Sequence, residues 1–375
     1  MSASQILSRE TDVFVIGGGP AGLAMAMAAR QRGLRVIVAD GAQPPIDKAC
    51  GEGLMPDGRA ALAALGIQVP VSEGSEFRGI RFVAAKLSAD AAFPGEGRGL
   101  AVRRTVLHQI MIERAAQRGA ELLWRTPVRS LSSEGVHLAN RTVRARWIVG
   151  ADGSNSRVRR WSGLERSTRP RLRYAFRQHY RVAPWTDFME VYWGDRCQGY
   201  ATPVGHDRVC VALASHDPNL RMEQGLAELP LLASRLRGAE MVSSERGAIT
   251  GNRHLHRVCK ENVALIGDAS GTVDAITGEG LGLSFRQAAC VAACIDSGDL
   301  EPYQRQHERL MLRPRLMARL MLTMDRRPRL QQRTLQVFQK HPHIFRRLLA
   351  LHLGALPPTG VVWDGLTLGW GLLTA

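Results

Sequence analysis

The sequence predicts an α/β fold that is interrupted by a β-rich segment and followed by a helical C-terminal region. Three observations carry this prediction. Residues 13–40 have the pattern of a buried strand, a glycine turn, a helix and a second strand. Residues 170–252 alternate or are rich in β-branched and aromatic side chains, which is typical of strands. From about residue 282 to residue 352 the pattern is mostly helical.

The 13–40 segment carries the motif G-x-G-x-x-G, formed by Gly17, Gly19 and Gly22. Gly17 permits a tight turn, Gly19 lets a pyrophosphate approach the backbone, and Gly22 lets the following helix pack closely on the strand. The N-terminus of that helix offers free N–H groups to phosphates. Asp40 follows the second strand, where it can accept a hydrogen bond from a ribose hydroxyl. A glycine turn in an ordinary α/β unit is the alternative, but the spacing of these parts favours a dinucleotide site.

Composition limits the class of protein. The chain has 375 residues, 45% of them hydrophobic and 22% charged, which suits two domains of a globular protein. Its net charge is +16, yet the arginines are scattered and no RNA-binding or helix-turn-helix signature accompanies them. A basic protein that binds nucleic acid is therefore a distant alternative, and no specific nucleic-acid partner is expected.

The cysteines and the apolar tracts bear on the compartment. Six cysteines occur without a C-x-x-C pair, and the residues before Thr11 lack the features of a secretory signal. These features predict a reduced, cytoplasmic protein that is not secreted. The apolar tracts are too short to cross a bilayer.

One region concentrates the positive charge. Residues 305–347 hold eleven arginines against two acids, Glu308 and Asp325, and interleave them with Leu, Met and Phe. This pattern predicts an amphipathic helical surface whose partner is an anionic membrane or an anionic cofactor. A solvated helical face is the alternative.

The remaining elements divide the chain into domains. Helices are predicted at 59–65, 104–118 and 282–297, and strands within 76–102 and 121–149. We therefore expect a discontinuous nucleotide-binding domain at 11–75, 101–168 and 253–300, a β-rich substrate domain at 76–100 and 169–252, and a helical region at 301–375.

Two further predicted strands end in acids. Residues 152–159 have the form D-G-x-x-S-x-h-R, in which Asp152 can organise ribose and pyrophosphate groups and Arg159 could attract a second, transiently bound nucleotide. Residues 263–268 form an apolar strand that ends in Asp268, which can accept from ribityl hydroxyls. The helix that opens after the 278–280 loop points its N-terminus at the same place, where it would stabilise a reduced flavin's negative charge by roughly 0.3–2 kcal/mol. The dinucleotide is therefore predicted to be a flavin.

These three motifs, in this order, resemble the FAD-dependent oxidoreductases that include the single-component (group A) flavin monooxygenases and the geranylgeranyl reductases. The resemblance covers roughly residues 12–300. It implies an FAD-binding Rossmann-like domain of the glutathione-reductase type, interrupted by a β-rich substrate domain. It also implies FAD as cofactor and NAD(P)H as transient reductant.

The resemblance assigns further residues. The 48–58 loop looks like that of the reductases, where a Cys-Gly pair, here Cys50 and Gly51, packs by the isoalloxazine. Arg104 matches the arginine that heads a helix, and Val128 matches a residue whose backbone meets the adenine. The full set of expected cofactor-binding residues is Gly17, Gly19, Gly22, Asp40, Cys50, Gly51, Arg104, Val128, Asp152, Asp268, Gly280 and Leu281, the last two through their backbone at the flavin edge.

The departures from the family pattern bear on the reaction. Residues 198–205 keep Tyr200 and Pro203 of a Y-x-W-x-F-P segment usual in isoprenoid reductases but lack its Trp and Phe, and Ala275 replaces a usual proline. A halogenase is not expected, because the W-x-W-x-I-P segment is missing. The sequence therefore favours an NAD(P)H-dependent monooxygenase of secondary metabolism that hydroxylates a hydrophobic aromatic or polyketide-like substrate. A reductase of C=C bonds is the alternative.

No catalytic side chain or metal site is assigned. Glu52 and Glu279 flank the flavin in the resemblance, and either could act as an acid. Cys50 could deliver a proton or could simply pack as a small buried thiol. His179 falls in the predicted substrate roof, where half of such residues face solvent or core. The sequence leaves the oligomeric state open.

Overall fold

The computed structural model describes residues 9–168, 171–325, 327–361, 363–365 and 368–369. Residues 1–8, before the first strand, 169–170 of the expected substrate domain and 370–375 of the expected helical region lie outside the described residues. The helices are α1 (Pro20–Arg30), α2 (Pro56–Ala64), α3 (Arg104–Gln117), α4 (Arg157–Trp161), α5 (Met222–Ala227), α6 (Pro230–Arg235), α7 (Gly280–Asp296), α8 (Glu301–Met324), α9 (Pro328–Lys340) and α10 (Pro342–His352).

The strands form three sheets. They are β1 (Arg9–Ile16), β2 (Val36–Ala39), β3 (Gly53–Leu54), β4 (Gly74–Phe77), β5 (Gly79–Ala84), β6 (Leu87–Ala92), β7 (Gly99–Val102), β8 (Glu121–Leu123), β9 (Ser130–Ser132), β10 (Gly135–His137), β11 (Thr142–Gly150), β12 (Arg171–Arg181), β13 (Met189–Trp193), β14 (Cys197–Pro203), β15 (Arg208–Ser215), β16 (Glu240–Met241), β17 (Arg246–Asn252), β18 (Cys259–Lys260) and β19 (Val263–Leu265).

The first sheet has the order β18-β19-β11-β1-β2-β8, with β9 and β10 attached beside β11. Its centre is parallel, since β1 pairs with β11 on one side and β2 on the other. Residues 13–16 are an uninterrupted apolar run because a central parallel strand is covered on both faces, and all four side chains are buried. Helices α1 and α7 pack together beside this sheet.

The second sheet has the order β16-β12-β15-β14-β13-β5-β6, with β17 pairing to the first part of β12. It is largely antiparallel, and α5 and α6 cover one face through a core that includes Leu213, Leu229 and Leu232. The opposite face, which carries Arg173, Arg177 and His179 of β12, turns toward the first sheet. This alternation along β12 is what a two-faced strand requires.

The C-terminal helices cover both units. Helix α8 packs on α7, while α9 and α10 pack on β6 of the second sheet. Phe345 anchors this packing, because its ring stacks on Phe338 at 4.7 Å and on Phe82 at 4.9 Å between centroids. The predicted α/β class, β-rich insertion and helical C-terminal region are confirmed. No helix of the described residues is long and apolar enough to span a bilayer.

Several predicted boundaries are wrong by two or three residues. Helix α2 begins at Pro56 rather than residue 59, since a proline fits the first helical position. Helix α7 begins at Gly280 rather than residue 282. The expected domain limits near residues 75 and 100 fall inside β4 and β7, which pair with each other in the small third sheet. The division into domains stays a prediction.

Candidate active site

A cavity of about 600 Å³ lies between the first and second sheets. It brings together the ends of β1, β2, β11 and β19 with one face of the second sheet. All the expected cofactor-binding residues except Gly22 line it: Gly17, Gly19, Asp40, Cys50, Gly51, Arg104, Val128, Asp152, Asp268, Gly280 and Leu281.

The glycine turn has the shape that the motif predicts. Gly17 has a φ of +111°, and a Cβ there would collide with the backbone of Ala151. Gly22 lies under the turn, where a Cβ would collide with the Gly17 carbonyl oxygen, so it serves the packing of α1 on β1. Gly19 lines the cavity with open space around it, and no side chain caps α1. The N–H groups of the first turn of α1 therefore remain available to an anion.

Asp40 holds the glycine turn in place. Its Oδ2 accepts from the Gly18 N–H at 2.7 Å, and its Oδ1 accepts from the Ala42 N–H at 2.7 Å. Each carboxylate oxygen still has a free lone pair, so Asp40 retains the capacity to accept from a ribose hydroxyl.

His108 is a contributor that sequence reasoning missed. Its Nδ1 accepts from the Ile46 N–H at 3.1 Å, so its Nε2 carries the proton and donates to the Gly18 carbonyl at 2.8 Å. The ring is fully buried, and burial lowers its pKa, which keeps it neutral. A single histidine at an inward position of a helix gave no signal of this role.

The D-G motif builds a helix cap, and one prediction about it is wrong. Asp152 accepts from the Ser156 hydroxyl at 2.5 Å and from the Arg157 N–H at 2.7 Å, which fixes the start of α4. Arg159 does not face a second nucleotide. It is 2% exposed and donates to Glu165, to the Ser154 carbonyl and to the Ala269 carbonyl, because the motif uses its charge to tie α4 to the next loop.

Asp268 lies across the cavity from the 47–53 loop. Its Oδ2 is 2.8 Å from the Lys48 Nζ, and both side chains are about two-fifths exposed. The turn beneath it is held from inside the protein, since the Gly267 N–H donates to Gln287 at 2.7 Å and Ser270 contacts the Nε2 of His307 at 3.0 Å. Sequence reasoning missed His307 and Gln287, which sit on α8 and α7 far along the chain.

The Cys50 loop forms the wall between the two sheets. Cys50 lines the cavity, and the Glu52 N–H donates to its Sγ at 3.4 Å. Burial is the main cause that raises the thiol pKa, with the nearby charge of Arg104 acting in the opposite direction. Glu52 is 3% exposed and has a φ of +61°, a left-handed conformation that is uncommon outside glycine. Its carboxylate accepts from the Arg104 N–H at 2.9 Å and pairs with the His179 Nε2 at 2.7 Å.

Glu52, His179 and Cys210 place one potential metal-ligand atom each within 4.8 Å of one another. Glu52 and His179 lie close together because they are hydrogen-bonded to each other. The Cys210 Sγ lies 3.7 Å from the Cys50 carbonyl oxygen, to which it can donate. The Arg177 guanidinium lies 3.2 Å from the His179 Nδ1 and disfavours a cation there. The cluster is therefore a hydrogen-bonded one.

Glu279 lies buried at the start of α7. Burial and the charge of Asp57 raise its pKa to about 8, against the opposing charges of Arg286 and Arg313. Its Oε2 stands 3.6 Å from the Nδ1 of His352 on α10. Glu279 does not line the cavity, although its neighbour Gly280 does.

The second-sheet side of the cavity is mostly apolar, although Arg177 and Tyr200 also line it. Ala175, Ala212, Ala214 and Met189 line it together with Ile276 from the loop above. That loop is tied to β17, because the Ala275 N–H donates to the Thr250 hydroxyl at 3.0 Å. A proline, usual at this position in the family that the sequence resembles, has no N–H to make this bond.

Comparison with known proteins decides what the cavity serves. The family model described as an FAD binding domain matches residues 10–295. The chain belongs to this FAD-binding family. The family expected from the three motifs is therefore confirmed, and the protein is an FAD-dependent oxidoreductase.

Two relatives and one solved structure are representative. The chain is 30% identical over 322 residues to a menaquinone reductase of Mycobacterium tuberculosis, covering 77% of each chain. It is 28% identical to digeranylgeranylglycerophospholipid reductase 1 of Methanothermobacter thermautotrophicus, covering 79% of this chain and 80% of that one. A flavoprotein/dehydrogenase from Cytophaga hutchinsonii has the same fold, with a TM-score of 0.80, 17% identity and coverage of 92% and 93%.

The residues around the cavity fit FAD. Gly19, Gly51 and Gly280 line it, and each has open space where a Cβ would stand. The start of α1 would hold the pyrophosphate, Asp40 and Val128 the adenosine end, and Asp268 the ribityl chain. Cys50, Gly51 and the start of α7 would then face the isoalloxazine ring.

Proposed function

We propose that this flavoenzyme reduces C=C bonds in the isoprenoid chain of a lipid. The observation that carries the proposal is the Cys50 thiol, which lines the cavity between the flavin residues and the apolar wall and which burial keeps protonated. The names of the relatives support it, since they are reductases of a menaquinone and of a digeranylgeranyl lipid. These relatives reverse the order of preference that the sequence alone favoured.

The residues of the chain have few tasks in such a reaction. Reduced FAD, when bound, would supply a hydride to one carbon of the C=C bond, and the other carbon takes up a proton. The apolar wall holds the hydrocarbon and excludes water. The Cys50 thiol supplies a proton at the cavity wall, and the Glu52 N–H that donates to its sulfur stabilises the thiolate that remains.

NAD(P)H remains our proposed reductant. Arg159 is not available to it, but Arg157 is exposed and lines the same end of the cavity beside Asp152. We propose that Arg157 attracts the phosphates of the transient nucleotide. Its replacement by glutamine should weaken reduction of FAD by NAD(P)H and leave reduction by dithionite unchanged.

The test is anaerobic turnover. Enzyme whose FAD has been photoreduced should convert a geranylgeranyl lipid to a product heavier by two hydrogens, without oxygen. Cys50→Ser should reduce this rate strongly while the FAD content stays normal. Product that is heavier by one oxygen, formed only with matching oxygen uptake, would contradict the reductase and identify a monooxygenase.

A monooxygenase acting on a hydrophobic aromatic or polyketide-like molecule is the second candidate. The observation that favours it is the missing Trp and Phe in residues 198–205, which form most of β14 beside the cavity. In that enzyme the Cys50 thiol only packs, so Cys50→Ser should leave hydroxylation largely intact.

We also propose that the outer face of α8 contacts anionic membrane. It exposes Leu312, Leu316 and Leu320 by 68%, 46% and 50%, at a spacing of four residues. Exposed arginines share the face, and among the described residues no acid forms an ion pair with them: Arg305, Arg309 and Arg319. Such a mixed face suits acyl chains and anionic headgroups at once.

Helix α9 differs from α8. It buries Leu335, Val337 and Phe338, and its exposed positions are polar. We therefore propose that the second part of the 305–347 segment is a solvated face. The proposed membrane contact belongs to α8 alone.

Vesicle binding tests the α8 surface. Binding to vesicles that contain an anionic phospholipid should fall as salt rises past about 0.15 M, where the screening length is roughly 8 Å. Leu316→Ser should weaken it, whereas Leu231→Ser, an equally exposed leucine on α6, should not. Equal partitioning onto neutral and anionic vesicles, or none, would overturn the proposal.

A further inference from the structure

The loop that carries Cys50 is fastened to one strand of the second sheet at two points. Asp47 pairs with Arg177, and Glu52 pairs with His179, two residues further along the same face of β12. Arg177, His179 and Glu52 are each at most 3% exposed. Glu52 thus holds its unusual left-handed backbone because partners on both sides of its carboxylate fix it.

The hydrogen bonds around His179 define where its proton sits. The Arg177 Nη1 lies 3.2 Å from the His179 Nδ1, and a guanidinium can only donate. The Ser243 hydroxyl accepts from the His179 backbone N–H and stands 3.0 Å from the same Nδ1, so it also donates there. Nδ1 is therefore the acceptor, and Nε2–H donates to Glu52. This hydrogen bond holds the Glu52 side chain at the cavity wall.

We propose that Glu52 and His179 control the proton of Cys50. Burial raises the pKa of the Cys50 thiol most, and the charge of the Glu52 carboxylate, two residues away, adds to it. The charges of Arg104 and Lys48 and the hydrogen bond from the Glu52 N–H act in the opposite direction. His179 holds that carboxylate in position by donating to it. Glu52 and His179 are positioning residues, because they act on the reacting end of the cavity through the thiol.

The charges around the pair are few and can be named. Glu52 is faced by Cys50, by Arg104 and by Cys210, whose own thiol pKa burial raises well above its usual value. His179 is faced by Arg177, which pairs with Asp47, and the same carboxylate also pairs with Arg246. A change in Glu52 therefore alters the net charge beside Cys50 directly. The inference rests on the proposed function only where it assumes that the Cys50 proton is transferred to a C=C bond of the substrate.

Alkylation of Cys50 tests it without turnover. The rate with iodoacetamide, followed at Cys50 by peptide mass spectrometry across pH, reports the thiolate fraction. Glu52→Gln keeps the shape but removes the charge, so Cys50 should react about three- to tenfold faster at pH 8, at matched FAD content. An unchanged pH profile in a variant that melts as the wild type does would overturn the inference.

Two variants of His179 provide an independent comparison. His179→Ala removes the donor that holds the Glu52 carboxylate behind the thiol, so the carboxylate can move away and alkylation should also speed up. His179→Gln can donate to Glu52 through its amide and should restore the wild-type profile. Equal profiles in the two variants would overturn the inference even if Glu52→Gln does not fold. If the profiles shift as expected but no C=C bond is reduced, the proposed function fails and this inference stands.

Discussion

The two walls of the cavity handle charge in opposite ways. On the first-sheet wall, the Lys48–Asp268 pair is about two-fifths exposed, and Asp40 keeps free lone pairs. On the second-sheet side, Arg173 lies buried behind the lining of the cavity and pairs with Asp274 at 2.8 Å, and each side chain is 1% exposed. The first wall holds groups that can still take a ligand, whereas the second wall holds groups that already satisfy each other. We infer that charge serves binding on one side and stability on the other.

The largest effect that sharpens this comparison is expected from Arg173→Met. Arg173 also donates to Gln198 at 2.9 Å, so its loss leaves Asp274 as a buried carboxylate without its charge partner. Breaking one side of a buried pair typically costs about 3–5 kcal/mol. We expect a loss of that size in the free energy of unfolding, measured by urea denaturation.

The matched control is Arg181→Met on the same strand. Arg181 pairs with Glu240 at 2.6 Å, but both side chains are more than half exposed, so the loss should be about 0–1 kcal/mol. The double variant with Asp274→Asn should regain part of the loss. Equal costs for Arg173→Met and Arg181→Met would remove the distinction between the walls.

The same contrast explains how far the sequence predicts the site. The first wall is encoded locally: Gly17, Gly19 and Asp40 lie within one strand-helix-strand unit, and motif spacing locates them. The second wall depends on contacts between distant parts of the chain, such as Glu52 with His179, 127 residues apart. A single histidine or arginine in a predicted strand does not indicate which residue more than a hundred positions away will be its partner. The role given to Arg159 was wrong for a related reason, since spacing locates a motif but not the direction of its side chains.

The second effect concerns cofactor retention. Asp268→Ala removes a charged acceptor beside the expected ribityl chain, worth about 1.5–3 kcal/mol, so the dissociation constant for FAD should rise about 10- to 100-fold. The unfolding free energy of the FAD-free protein should change by about 0–1 kcal/mol, because the Lys48–Asp268 pair is solvent-screened. Flavin fluorescence and urea denaturation measure the two quantities.

Lys48→Met is the control for that experiment. It removes the partner of Asp268 but no acceptor, so FAD affinity should change far less than with Asp268→Ala. Wild-type FAD affinity in Asp268→Ala would show that this carboxylate faces the lysine rather than the cofactor. The polar groups of the first wall would then pair with each other, as those of the second wall do, rather than with a ligand.

The smallest effect concerns Glu279, a buried acid that has no charge partner closer than 3.6 Å in the part of the chain that the structure describes. Its pKa is raised to about 8 by burial, so the folded protein binds a proton there that the unfolded chain has already lost above about pH 5. Stability must therefore fall as pH rises toward 8. Burial lowers the pKa of the nearby His352, and any stability change from that ring is complete below about pH 6.5. Between pH 6.5 and 8 the protonation of Glu279 should account for a fall of about 1–2 kcal/mol in the free energy of unfolding. Glu279→Gln should remove this pH dependence, as measured by thermal unfolding across pH. An equal slope in that variant would mean that Glu279 is already ionised at pH 6.5 and that its side chain is as well satisfied as Asp274.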